Sequence, residues 1–346
     1  PFDIPEAGGE YIFTVSLRLS KDCIWAEAGH EVASGQYVIS TTEDTVSRTY
    51  GNLKCVKGTY NLGVRGENFE VLFSGLKGGL VSYKYAGKEM FKDIPKPNFW
   101  RAPTDNDNGN GMPRRCGIWK LASLYSTHIN NSVSAITMAG EPYTYEEGDD
   151  CVIVNFDYYL PFSQECKCCV KYTVYADGEV KINMNYDPID NLPEIPEFGM
   201  MFKIDPDYDI VKWYGNGPEE TYWDREKGAK IGVYEKNVKD MLAAYPVPQE
   251  SGNHTKVRWA EVTDKLGRGV MFKAEQMEFS ALPHTPFELE NASHSYELPP
   301  VHYTVVRANY RQMGIAGDNS WGAMTHPEFT IPSDKKINFE FSFRGI

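Results

Sequence analysis

Nowhere in the 346 residues does an uncharged apolar run approach the ~18 residues that a membrane helix needs, so the sequence predicts a soluble chain. Positive charge is the second shortage. Lys and Arg number 35 against 48 Asp and Glu, and the resulting formal charge of -13 repels phosphate backbones and anionic headgroups, excluding nucleic acid and membrane surfaces as partners. Helical periodicity is also scarce: only residues 114–124 read as a short helix, carrying Trp119, Leu121 and Leu124. Strands never alternate with helices, which argues against a parallel α/β fold or a barrel of eight βα units. No glycine-rich loop joins a strand to a helix, so no nucleotide site is expected. The N-terminus, PFDIPEAGGEYIFTVSLRL, has no initiator Met and none of the regions of a signal peptide, and it reads as cut from something longer. The seven cysteines are odd in number and too few for a disulfide scaffold in a chain of this length. Three of them crowd together, but on a strand Cys166 and Cys168 face opposite to Cys169, which suits packing better than chelation.

Aromatic residues are abundant at 13%, with 22 tyrosines, a composition suited to sheets and to wet recognition surfaces. Period-two alternation dominates. Val152, Val154, Phe156 and Tyr158 fall on one side of a strand over residues 151–160, and alternating runs flank Asp177-Gly178, where a type I′ hairpin turn is expected. Further hairpins fit residues 69–90, punctuated by Gly75, Gly78 and Gly79, and residues 257–282, turning at 265–269; residues 337–343 alternate again. The fold class these patterns predict is all-β, a large two-sheet antiparallel β-sandwich. The polar stretch STTEDTVSRTY at 40–50 suggests a boundary, dividing the chain into residues 1–45 and 46–346. The first part is too short to close a sandwich and reads as the last strands of an immunoglobulin-like domain.

Long loops rich in Asn, Asp, Gly and aromatics interrupt the strands: FWRAPTDNDNGNG from Phe99, WYGNGPEETYWDREKG from Trp213 and GIAGDNSWG from Gly314. Sugar sites use this composition, because hydroxyls need planar amide and carboxylate partners while pyranose CH faces pack on rings. Glycoside hydrolysis needs two carboxylates about 5–9 Å apart across one bond. Adjacent Glu219 and Glu220 point apart in an extended segment, and Asp105 and Asp107 sit in a turn, so the plain reading of both pairs is capping and ion pairing with Arg101, Arg114 or Arg225. None of the seven histidines has zinc-site spacing; His294 and His302 flank Pro299-Pro300 without a helix to align them. Trp321 follows Gly317, Asp318, Asn319 and Ser320 on a loop where an indole can stack on sugar, although tryptophan is first of all a packing residue.

Taken in order, WAEAGHEVASGQY, NFWRAPTDNDNG, WYGNGPEETYWDR, YPVPQESGNHTKVRW and MGIAGDNSW resemble the C-terminal part of the glycoside hydrolase family 2 β-galactosidases of the bacterial lacZ type. The resemblance covers nearly the whole chain. It implies the end of the family's immunoglobulin-like fourth domain followed by its fifth, small-chain domain, a β-sandwich of the galactose-mutarotase-like superfold. The parent would be a retaining β-galactosidase whose catalytic glutamates lie on a preceding TIM barrel, leaving this fragment with no catalytic residue and no hydrolysis of its own. In the family a Gly-Asp-Asp-Ser-Trp motif lends its tryptophan to the sugar platform. Here that implies Trp321, with Asp318 and Asn319, as substrate-binding residues, Asn319 standing where the family has a second Asp. The resemblance implies no metal or cofactor on these residues, any Mg or Na belonging to the barrel. Implied partners are a β-galactoside and the barrel; homo-oligomer formation and the bacterial compartment, cytoplasmic or periplasmic, stay open. Alternatives are a stand-alone carbohydrate-binding module, a small subunit of a two-chain β-galactosidase, and an aldose mutarotase.

Overall fold

The structure, a computed structural model, describes residues 8–41, 51–129, 142–319 and 321–346. Its contacts divide the chain into Pro1–Thr49 and Tyr50–Ile346. The polar stretch read as the boundary lies, beyond Thr41, outside the described residues.

The first unit holds β1 (Gly9–Arg18) and β2 (Glu31–Thr41), paired antiparallel with Phe13 opposite Tyr37 and Leu17 opposite Ala33. Alternation places Phe13, Val15, Leu17 and Tyr37 on one face of this ribbon, and all four remain exposed.

In the second unit β3 (Lys54–Lys57), β4 (Asn61–Arg65), β5 (Phe69–Ser74), β6 (Gly79–Tyr85) and β7 (Lys88–Glu89) form a five-stranded antiparallel sheet in chain order. The segment β8 (Lys96–Asn98), α1 (Asp105–Gly109), α2 (Met112–Arg115) and α3 (Gly117–Tyr125) leads to β9 (Thr144–Glu147), β10 (Cys151–Leu160), β11 (Ser163–Tyr175) and β12 (Val180–Asp187). Then come β13 (Glu197–Ile204), β14 (Ile210–Gly217), β15 (Lys230–Asn237), β16 (His254–Thr263), β17 (Gly269–Leu282), β18 (Thr304–Gln312) and β19 (Ile337–Gly345). These strands run in the order β15-β14-β16-β17-β19-β12-β11-β10-β9, and β18, β13 and β8 branch from β17. Every registered pair is antiparallel, so the all-β antiparallel reading holds.

The alternation has a direct packing consequence. The inward residues of β10 (Val152, Val154, Phe156, Tyr158) and of β12 (Val180, Ile182, Met184, Tyr186) are all buried. Rings knit the layers: Phe73 of β5 lies 5.2 Å from Tyr172 of β11, Tyr83 of β6 5.0 Å from Phe343 of β19, and Phe202 of β13 5.2 Å from Phe272 of β17. Tyr83 also donates its hydroxyl proton to the Gly178 carbonyl at 2.9 Å and accepts from the Gly345 N–H at 2.9 Å. Much of the aromatic excess is therefore core.

Two local expectations need correction. The single helix over 114–124 is broken at Cys116 into α2 and α3; Trp119 is buried with Ala122, one turn apart on one face, while Leu121 and Leu124 are exposed. The Asp177-Gly178 hairpin exists, but only Gly178 has positive φ, at 87°, and its N–H bonds the Tyr175 carbonyl at 3.0 Å. This is a three-residue loop whose last residue is left-handed, not the two-residue type I′ turn; Ala176 takes part in the turn and leaves Asp177 in an ordinary conformation. A Cβ on residue 178 would also stand 3.0 Å from the Phe69 ring. Gly178→Ala is expected to destabilise the unit by about 1–2 kcal/mol, read as a fall in the urea midpoint, and an unchanged midpoint would contradict the turn geometry.

Candidate functional site: an exposed tryptophan on a braced loop

Strand β18 ends at Gln312, and the chain enters a loop that carries Trp321. The indole is 91% exposed, so the packing role that tryptophan usually has does not apply to it within this chain. Loops hold such a ring in place only if their own backbone is satisfied elsewhere. Here two of the Asn/Asp-rich loops do this. Arg101, fully buried, donates to the carbonyls of Met313 and Gly314 and pairs with buried Asp107 at 3.0 Å through both carboxylate oxygens. Asp107 in turn caps α1, accepting from the Thr104 N–H at 3.0 Å while its own N–H donates to Thr104 Oγ1 at 3.1 Å. Asn106 donates to the Ile315 carbonyl at 3.2 Å. From the other loop, Asp224 Oδ2 accepts the N–H groups of Ile315 and Ala316 at 2.8 and 3.1 Å.

Small residues permit the close approach. A Cβ at Gly314 would lie 2.8 Å from the Asp224 carboxylate, and one at Gly317 2.5 Å from the Met324 carbonyl. Arg311 stacks on Trp223 with its guanidinium carbon 4.0 Å from the ring centroid, and Trp223 meets Phe329 edge-on at 5.6 Å. The loop thus has a rigid base and an exposed tip.

Trp321, Asp318 and Asn319 share that tip, but two of the three side chains are engaged by the loop itself. Asn319 Oδ1 accepts from the Trp321 N–H at 2.8 Å, closing a tight turn under the indole. Asp318 accepts from His326 Nε2 at 2.8 Å, closing the exposed segment that carries the indole and holding the imidazole above its usual range. Ser320 lies outside the described residues.

The carboxylate pairs are occupied structurally. Glu219 pairs with Lys236 at 3.0 Å, while Glu220 pairs with Arg225 and accepts from the Gly252 N–H at 2.7 Å. Asp105 accepts from Gln249 Nε2 at 3.2 Å. Among the described residues no three His, Cys, Asp or Glu side chains converge to hold a metal ion. His294 sits against Glu297 and Tyr296; buried His254 stacks on Trp213, and burial pushes its imidazole down to about 3. Burial likewise raises the Cys169 thiol to about 12, which opposes the thiolate that chelation needs. No helix among the described residues is long and apolar enough to cross a membrane.

One group escaped the sequence reading. Glu197, Glu250, Glu278, Arg307 and Gln312 are all buried behind the loop's base. Residues 304–309 are buried on both faces of β18, so alternation gives no sign that Arg307 points inward.

The antiparallel β scaffold thus presents an exposed indole on a braced loop. The model of the β-galactosidase small chain matches residues 65–344, and that of β-galactosidase domain 4 matches residues 1–40. The chain belongs to the β-galactosidase small-chain family. It is 42% identical to a β-galactosidase of Halalkalibacterium halodurans over 100% of this chain and 34% of the relative, and 41% identical to one of Priestia megaterium over 97% and 32%. The chain therefore spans about a third of the length of these relatives. A β-galactosidase small subunit of Latilactobacillus sakei is 32% identical over 86% of this chain and 100% of the relative. Among solved structures, a galactose 1-epimerase of Lactobacillus acidophilus aligns at 8% identity and TM-score 0.41, a likeness that carries no argument about chemistry.

Proposed function

We propose that this chain is the part of a retaining β-galactosidase that completes the sugar pocket, Trp321 forming one wall, while the two catalytic carboxylates are supplied from outside the chain. The observation that carries the reading is the exposed indole on a loop whose backbone is fixed by Arg101, Asp107, Asn106 and Asp224. Exposure of a large ring is unfavourable unless a partner covers it, and a ring held on a rigid base loses little entropy when a pyranose stacks on it. The names of the relatives support the substrate class. The carboxylates of this chain near the loop are committed to ion pairs, caps or buried amide donors, which supports placing the acid/base and nucleophile elsewhere.

The match over the whole of a protein named a small subunit supports a second form of the same reading, in which the catalytic domain is a separate large subunit. In either form residues 1–45 would be the end of an immunoglobulin-like domain, with the exposed face of the β1–β2 ribbon covered by the rest of that domain. The test compares hydrolysis of an aryl β-galactoside by this chain alone and by the same chain joined to, or mixed with, the catalytic domain. We expect turnover only in the second case. Turnover by the chain alone would refute the proposal, and tight binding of galactose by the chain alone, where half a pocket gives millimolar affinity at best, would favour a free-standing carbohydrate-binding module.

A further inference from the structure

Behind the loop's base, two buried carboxylates share one arginine, and a third, Glu278, lies within reach of Glu197. Arg307 donates to Glu197 Oε2 and to Glu250 Oε1, both at 2.6 Å, and to Ser280 at 3.1 Å, and all three charged side chains are at most 1% exposed. Gln312, the last residue of β18, is held by two of these acids. Its side-chain amide donates to Glu250 Oε1 at 3.1 Å, and its backbone N–H donates to Glu278 Oε2 at 2.9 Å. Asn253 donates to the same Glu278 oxygen at 3.1 Å. Met313, the next residue, donates to the Pro196 carbonyl at 2.8 Å and offers its own carbonyl to Arg101. The place where the Trp321 loop leaves the sheet is thus set by buried ionic and polar groups as well as by the apolar packing of Met313.

We propose that Glu250 and Glu278 are positioning residues: by gripping both amides of Gln312 they fix the origin of the Trp321 loop and so the height of the indole in the pocket. The inference rests on the reading of Trp321 as a sugar-facing wall.

Charge makes the device sensitive to pH. The groups that act on Glu278 are the donors Gln312 and Asn253, Arg311 on β18 and Glu197 on β13. Arg101 is matched by Asp107, and Arg307 is shared by Glu197 and Glu250. Burial raises Glu278 to about 8 and, with Glu250 adding to it and Arg307 opposing, raises Glu197 to about 7. A retained proton also adds a donor where acceptors are in surplus, since Asn98 Oδ1, Asn253 Oδ1 and Gln312 Oε1 meet no donor among the described residues. A carboxyl raised by folding gives stability that is fully present below its unfolded value near 4.5 and is lost as pH rises through about 8. Deprotonation makes Glu278 a stronger acceptor for Gln312 and Asn253 but leaves a buried charge, so the cost on the alkaline side falls on the stability of the unit.

The experiment uses the enzyme that contains this chain, with Gln312→Ala, Glu278→Ala and Glu278→Gln. Aryl β-galactoside kinetics from pH 6 to 9.5 are read beside hydrogen exchange over residues 313–326. Gln312→Ala should raise KM about tenfold with kcat within about twofold, and should speed exchange in the loop. Glu278→Gln keeps a neutral acceptor for both donors and should restore KM and exchange; above about pH 8 its Tm should fall less than that of the unmodified enzyme. If Gln312→Ala leaves exchange and KM unchanged while Trp321→Ala raises KM, the positioning role is wrong and the sugar wall stands. If Gln312→Ala speeds exchange but neither it nor Trp321→Ala moves KM, the wall is wrong and the grip stands. Glu278→Gln as damaging as Glu278→Ala would overturn the role of the neutral acceptor.

Discussion

Trp321→Ala, made in the enzyme that contains this chain, is expected to raise KM for an aryl β-galactoside about five- to tenfold, the equivalent of the ~1–1.4 kcal/mol that a stacked aromatic ring contributes. Thermal stability should not change. The indole is 91% exposed, and surface substitutions of that kind stay within about 0.5 kcal/mol. The loop itself should survive, because Asn319 bonds the backbone of residue 321 rather than its ring. Trp321→Phe keeps a flat face of smaller area and should recover part of the loss. A KM unchanged by Trp321→Ala would remove the sugar-wall reading, and a large fall in Tm would show that the ring packs against protein in the assembled enzyme instead.

Arg101→Met is expected to be strongly destabilising. It leaves Asp107 buried without its partner and strips the carbonyls of Met313 and Gly314 of their donor. Breaking a buried pair in this way costs about 3–5 kcal/mol, which for a unit of this size is a fall in Tm of roughly 5–15 °C. Arg101→Lys should not rescue it: a compact ammonium on a flexible stem cannot reach a carboxylate and two carbonyls at once. Removing both charges, Arg101→Met with Asp107→Leu, should recover much of the loss, since it is the uncompensated carboxylate that dominates. Differential scanning calorimetry measures all three. A Tm within a degree or two for Arg101→Met would mean that water reaches Asp107 and that the brace is weaker than its geometry indicates.

How far the sequence leads depends on whether one face of a strand is wet. Where it is, as in β10 and β12, alternation identifies the inward residues one by one. Where both faces are covered, as along residues 304–309 of β18, every position looks like core and the charge on Arg307 carries no direction. The Trp321 motif was visible because its composition is unusual for a loop. Its supports were visible only as separate stretches: nothing in the spacing of Arg101, Asp224 and Gly314 says that they meet, because contacts between residues 90 to 210 positions apart depend on topology. The Asp177-Gly178 dipeptide marks the position of the turn but not its type, since dipeptide preference does not distinguish a two-residue loop from a three-residue loop ending in a left-handed glycine.

The position of β19 bears on how the unit can be made. This strand lies between β12 and β17, with Met184 opposite Phe339 and Phe272 opposite Phe343, so the long sheet is bridged by residues 337–345. Until those residues have left the ribosome, β12 and β17 stand as two open edges, each carrying apolar side chains that the finished fold hides. Synthesis at about 5–20 residues per second delivers the earlier hairpins well before the strand that joins them. Completion of the sheet is therefore a late, long-range event with high contact order. Between the emergence of β17 and that of β19, the growing sheet presents these edges unpaired by β19.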